Sequence, residues 1–151
     1  MARTLVPEAR EVTAYARSAA PPEDVWRDLV DATAWSRWSR IPHAVREREG
    51  VPAPDGVGSI RALGVAGRGS REEVVGFEPP RHFAYVLLSG LPLAEYRADV
   101  TLSADGDGTL ITWRGRFVPK WSWSGPWFGW FLRTTLTGFA RGLARDAARL
   151  P

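Results

Sequence analysis

The chain has 151 residues, a net charge of +3, no cysteine and eight tryptophans. That length suits one domain with a sizeable core, and 44% apolar with 25% charged residues is the make-up of a folded chain rather than a disordered one. The lack of cysteine excludes disulfides, thiolate catalysis and thiolate metal sites, and no apolar run approaches the roughly 20 residues of a bilayer-spanning helix.

Met1 to Arg10 is charged and has no apolar h-region, so a cytoplasmic location is expected. From Glu11 to Ser18, Val12, Ala14 and Ala16 alternate with Thr13, Tyr15 and Arg17, the period of a strand. Ala20-Pro21-Pro22-Glu23-Asp24 then starts a helix, with prolines in the first turn and acids beside the positive dipole end. Its apolar face is Val25, Trp26, Leu29 and Val30, and a second short helix over Ala32 to Trp38 takes Asp31 as its cap. Strands follow at Ala44–Glu49, Gly58–Val65, Arg71–Phe77, His82–Ser89, Glu95–Ser103 and Thr109–Val118. Proline turns and the Asp105-Gly106-Asp107-Gly108 hairpin separate them, and such short connections imply antiparallel pairing.

Ser124-Gly125-Pro126 opens a long helix reaching Leu150. At 100° per residue, Leu132, Leu136, Phe139, Leu143, Ala147 and Leu150 share an arc of about 80°, with Arg141, Arg145 and Arg149 opposite. Residues 126–151 carry the whole net charge of the chain, and these arginines read as the solvated side of that helix. A nucleic-acid partner is not expected, because no basic patch is interleaved with exposed aromatics in the manner of such binders.

This order of elements, with the words Ala20-Pro21-Pro22-Glu23-Asp24-Val25-Trp26, Trp35-Ser36-Arg37-Trp38, Gly58-Ser59-Ile60-Arg61, Arg71-Glu72-Glu73-Val74 and Gly108-Thr109-Leu110-Ile111-Thr112-Trp113, resembles the SRPBCC superfamily. That START-like group includes polyketide cyclase/dehydrase-type proteins, plant abscisic acid receptors and the birch-pollen allergen family. The resemblance spans about residues 10–150 and implies one α+β domain over 1–151. Its fold would be a helix-grip: a curved antiparallel sheet of about seven strands around the C-terminal helix, with two short helices after the first strand. It does not imply a reaction, because the superfamily holds carriers, receptors, cyclases and chaperone activators alike.

In relatives, a basic residue on the strand after the glycine turn enters the cavity and faces an acid on the next strand; the matching positions are Arg61 and Glu73. Strand parity then sets Leu63 beside Arg61, and Val75 and Phe77 beside Glu73. On the later strands it turns Tyr85, Leu87, Tyr96, Trp113 and Phe117 inward. The helix contributes Phe128, Leu132, Thr135, Leu136 and Phe139 to the same ligand-binding wall. Arg61 suits an oxyanion, being permanently charged, while Glu73, Tyr85 or Tyr96 would carry any proton transfer, and Glu73, Arg61 and Tyr85 are the catalytic set if there is turnover. The competing readings are a structural Arg61–Glu73 ion pair, or side chains that point outward.

No metal or cofactor is expected. His43 and His82 lack ligand spacing, no Gly-x-Ser-x-Gly word occurs, and Gly56-Val57-Gly58 lacks the third glycine of a dinucleotide loop. Trp121-Ser122-Trp123-Ser124-Gly125-Pro126-Trp127-Phe128-Gly129-Trp130 reads as a lid or rim over the cavity, ahead of a homodimer contact. Membrane contact is ranked last, because the adjoining helix needs its apolar face for the core. The expected function is binding of a small apolar or polyketide-like molecule. The alternatives are a polyketide cyclase/dehydrase-like enzyme and a protein-interaction module without a ligand.

Overall fold

The computed structural model describes residues 8–65 and 68–149. Seven strands form one antiparallel sheet: β1 (Arg10–Ser18), β2 (His43–Arg48), β3 (Ile60–Val65), β4 (Arg68–Glu78), β5 (His82–Ser89), β6 (Leu93–Asp105) and β7 (Gly108–Pro119). Their spatial order is β1-β7-β6-β5-β4-β3-β2. From β2 to β7 this is a meander, and the chain's one long excursion joins the two edge strands, β1 and β2. That excursion carries α1 (Pro22–Val30), a 3-10 turn (Ala32–Ala34) and α2 (Trp35–Trp38). After β7 come a second 3-10 turn (Ser122–Ser124) and α3 (Gly125–Arg149). Leu150, expected on the apolar face of α3, lies outside the described residues.

Local chemistry explains the elements. Pro22, Glu23 and Asp24 occupy the first turn of α1, and the Asp31 carboxylate accepts from the Thr33 N–H at 3.0 Å to cap the turn that follows. Gly106 takes φ 60° in the β6–β7 hairpin, a conformation that residues with a Cβ rarely adopt. The buried stripe of α3 is Phe128, Leu132, Leu136, Ala140, Leu143 and Ala147, spaced three or four apart, and it lies chiefly against β1 and β7. Phe139 is half-buried at the edge of this stripe. Ser18 Oγ donates to the Ala144 carbonyl at 2.8 Å, tying β1 to α3. At Gly142 any Cβ would collide with the Trp38 carbonyl oxygen, so glycine lets α3 touch the end of α2.

A break in alternation on β4 bears on the site. β4 carries a register shift against β5 between Val74 and Gly76, which leaves Val75 as the extra residue. A bulge of this kind reverses which side chains point inward on either side of it. Phe77 packs inward against Trp26 and Phe83, with ring centroids 5.2 and 6.5 Å apart, but before the bulge the inward residues are Glu72 and Val74. Parity counted straight through from Phe77 therefore selects the wrong glutamate. Among the described residues, no helix is long and apolar enough to cross a membrane.

Candidate ligand-binding cavity

Between α3 and the β3–β6 part of the sheet lies a cavity of about 820 Å³, within the usual range for small-molecule sites. Leu63, Ser70, Glu72, Tyr85 and Tyr96 line it from the sheet, and Phe131, Leu132, Thr135, Leu136 and Phe139 from α3. Trp38, Ser39, Arg40 and Ile41, at the end of α2, form one side, with Leu91 of the β5–β6 turn also in the wall.

Among the described residues, Glu72 supplies the one carboxyl group in this lining, and it is buried. Ser70 Oγ lies 3.4 Å from its Oε1, while Oε2 has no hydrogen-bond partner among the described residues. Burial raises its pKa to about 7, partly opposed by the positive charge of Arg61 and by the Ser70 hydroxyl. Arg61 is the register partner of Glu72 across β3 and β4, and it is fully buried. Its guanidinium carbon sits 5.4 Å from the Trp35 ring centroid and 5.0 Å from that of Phe83. Nη2 donates to the Val30 carbonyl at 3.2 Å, whereas Nε and Nη1 have no partner among the described residues. Burial lowers the Arg61 pKa, against the favourable field of Glu72.

Two phenols complete the polar lining. Burial, followed by the neighbouring Tyr96 and Glu72, pushes Tyr85 well above its ordinary value; burial and then Glu72 raise Tyr96 as well. Both stay protonated at neutral pH and can donate. Behind them stands an aromatic layer: Trp113 Nε1 donates to the Tyr85 hydroxyl at 3.2 Å, and Trp35, Trp38, Trp113 and Phe139 pack at centroid distances of 4.7–6.2 Å.

Of the residues expected from sequence to meet a ligand, Leu63, Tyr85, Tyr96, Leu132, Thr135, Leu136 and Phe139 come together on this cavity. Arg61 lies behind the wall, against Trp35 and Phe83. Trp113 is fully buried in the aromatic layer, and Phe128 packs on Trp127 and Phe131. Leu87 and Phe117 border a smaller groove along β5, β6 and β7. Two expectations are corrected. Glu73 points away from the cavity and pairs with Arg48 at 3.0 Å, and Val75 is the bulged residue of β4. The buried carboxyl is that of Glu72. The sequence reading also passed over Trp38, Ile41, Ser70, Leu91 and Phe131. Gly76 was the available signal, since an isolated glycine within a strand often marks a bulge.

The tryptophan-rich segment does not line the cavity. Trp121, Trp123, Trp127 and Trp130 are 47–78% exposed, and Trp121 stacks on Trp123 with centroids 5.8 Å apart. Trp127 stacks on Phe131 at 5.4 Å, and Phe131 belongs to the cavity wall, so the patch adjoins the cavity through that ring. Among the described residues, no cluster of three or more His, Asp or Glu side chains could hold a metal ion.

The family described as polyketide cyclase/dehydrase and lipid transport matches residues 9–150. Solved structures share the fold at low identity. The Zhui aromatase/cyclase from Streptomyces sp. R1128 superposes with a TM-score of 0.79 at 17% identity, over 94% of this chain and 95% of that one. A START superfamily protein from Mycobacterium smegmatis gives 0.76 at 17%, over 93% and 99%. Norcoclaurine synthase from Thalictrum flavum, bound to dopamine and hydroxybenzaldehyde, gives 0.74 at 12%, over 100% and 95%. No curated protein sequence is significantly similar.

Proposed function

The chain belongs to the polyketide cyclase/dehydrase and lipid transport family, and from that premise we propose that it binds a small hydrophobic molecule in the cavity between the sheet and α3. One observation carries this reading: a buried carboxyl with an unpartnered oxygen faces about 820 Å³ of mostly apolar space. A buried polar atom left unpaired costs about 1–3 kcal/mol, and a purely structural wall would be better served by an apolar residue. A ligand hydroxyl or carbonyl reaching Glu72, Tyr85 or Tyr96 would satisfy those groups while Leu63, Leu132, Leu136 and Phe139 enclose the hydrocarbon part. Arg61 acts from behind, as a fixed positive charge that holds the Glu72 pKa down near neutrality.

That same value favours a second reading, a cyclase/dehydrase-type enzyme. A carboxyl titrating at about 7 is matched to giving or taking a proton at neutral pH. In this reading Glu72 is the acid–base group in place of Glu73, and the Tyr85 and Tyr96 hydroxyls donate to a developing oxyanion. Holding a flexible chain in a reactive conformer would supply much of the remaining acceleration.

The test is native mass spectrometry of the protein purified from its own cells, alongside Leu136→Trp, which fills the cavity. The wild type should retain a small molecule, and the folded variant, checked by circular dichroism, should lose it. Equal retention by both would sink the cavity as the binding place.

A further inference from the structure

Two groups of arginines contrast among the described residues. Eight of them, including Arg37, Arg46 and Arg48, hold a carboxylate within 3.1 Å. Arg40, Arg133, Arg141 and Arg145, all exposed and all lining the cavity, make no side-chain hydrogen bond or ion pair among the described residues, and Arg133 also borders a separate groove between β1 and α3. Arg141 and Arg145 are one turn apart on α3, about 6 Å along the axis. Arg40 follows α2, which Gly142 allows to touch α3 through the Trp38 carbonyl, so Arg40, Arg141 and Arg145 belong to the α2–α3 side of the cavity. Arg40 has φ 66°, the left-handed region that glycine or asparagine would occupy more readily.

On sequence alone, Arg141 and Arg145 are the solvated back of the helix. In the fold they lie along the cavity with Phe131, Thr135 and Phe139. The nearest acid on α3, Asp146, is committed to Arg37 at 2.9 Å and does not neutralise them. Among the described residues, Glu72 is the sole acid lining the cavity, and it is buried. The mouth therefore presents Arg40, Arg141 and Arg145 together on its α2–α3 side, with Arg133 a fourth positive charge further along α3, all with forked donors free at the entrance to an apolar interior.

We infer that this mouth is an oxyanion site: the ligand is an anionic amphiphile whose apolar body enters the cavity while a carboxylate or phosphate group rests on Arg40, Arg141 and Arg145. The inference deepens the ligand-binding reading and rests on it. Forked guanidinium donors match the paired oxygens of both head groups, and their charge does not vary across the physiological pH range.

The experiment uses cis-parinaric acid and its methyl ester, which share one fluorescent tail and differ in the head charge. The wild type should bind the acid about ten-fold or more tightly than the ester, the scale of one charge-assisted contact. Arg141→Gln/Arg145→Gln should remove that advantage and leave ester binding within about two-fold. Arg149→Gln, which removes a charge from the same helix away from the cavity, should change neither. Displacement by dodecanoate, dodecyl phosphate and dodecanol separates the head groups: either anion outcompeting the alcohol supports the site and names its preferred oxyanion. Equal displacement by all three overturns the oxyanion site, as does equal loss of acid and ester in the double variant. If neither parinaric probe binds the wild type, the cavity reading itself fails, an outcome distinct from ester binding without preference for the acid.

Discussion

Arg46 on β2 and Arg61 on β3 are register partners, two arginines side by side on one sheet, yet their surroundings differ in kind. Arg46 forks onto Asp55 through two hydrogen bonds of 2.8 Å, with Asp31 3.5 Å away. Asp55 in turn lies 3.4 Å from the Ala32 N–H, so the pair fastens β2 to the start of the 3-10 turn. The Arg46 pKa is accordingly raised, chiefly by the Asp55 hydrogen bonds. Arg61 is more deeply buried and less satisfied: among the described residues one of its nitrogens donates to a carbonyl, two have no hydrogen-bond partner, and Glu72 opposite it forms no ion pair. The first cluster is closed and structural. The second keeps polar groups apart beside a cavity, where a protein built only for stability would have joined or removed them.

The largest effect should come from breaking the closed pair. Asp55→Ala leaves the Arg46 guanidinium only the longer contact to Asp31 at 3.5 Å and strands the Ala32 N–H, and should cost about 3 kcal/mol, the low end of the range for removing one partner of a buried ion pair. Urea unfolding monitored by tryptophan fluorescence measures it. A loss below 1 kcal/mol would show that the Arg46–Asp55 pair is no more structural than the open one.

Glu72→Gln should have a smaller effect of opposite sign. The Glu72 pKa rises from an ordinary 4.5 to about 7 in the folded state, so the folded form binds the proton more tightly than the unfolded chain. Its contribution to stability is complete below pH 4.5 and is lost as pH rises through 7. The shift corresponds to about 3 kcal/mol as an upper bound. Relative to wild type, the glutamine variant should therefore gain stability as pH goes from 5 to 8, and be the more stable protein at pH 8. Asp28, also raised by burial, to about 6, is common to both proteins and cancels in the comparison. If Glu72→Gln is destabilising at pH 8, the carboxylate is paired after all, and the two clusters are of one kind.

Much of this architecture is legible in the residues. The period-2 strands, the proline-started α1, the Asp31 cap and the leucine stripe of α3 are local signals, and the family resemblance assembles them into the helix-grip. The site is less legible, for identifiable reasons. Parity is reliable only along an unbroken strand, and the Val75 bulge moved the inward carboxyl by one residue. Burial does not reveal depth: Trp113 and Arg61 face inward as expected, but stand behind Tyr85, Trp35 and Phe83 rather than at the cavity surface. Trp38, Leu91 and Phe131 reach the wall from a helix end, a turn and the flank of α3, places where sequence periodicity does not say which neighbour a side chain will meet.

The smallest expected effect is the most direct check on that one-residue correction. Glu73 sits on the outer face of β4, where its carboxylate pairs with Arg48 at 3.0 Å and both side chains remain substantially exposed. Exposed pairs of this kind are worth about 0.2–1 kcal/mol, because water screens the attraction and two long side chains must be ordered to form it. Glu73→Gln should therefore lower stability by less than about 0.5 kcal/mol, with no change in parinaric acid binding. Glu72→Gln, one residue away, should alter both the pH profile of stability and the affinity. The two variants differ by one step along a strand, so composition and local propensity are the same in each. Any difference between them reports the face on which the carboxyl lies. If Glu73→Gln reproduced the pH profile of Glu72→Gln, the register of β4 would be the unbulged one, and the cavity carboxyl would be Glu73.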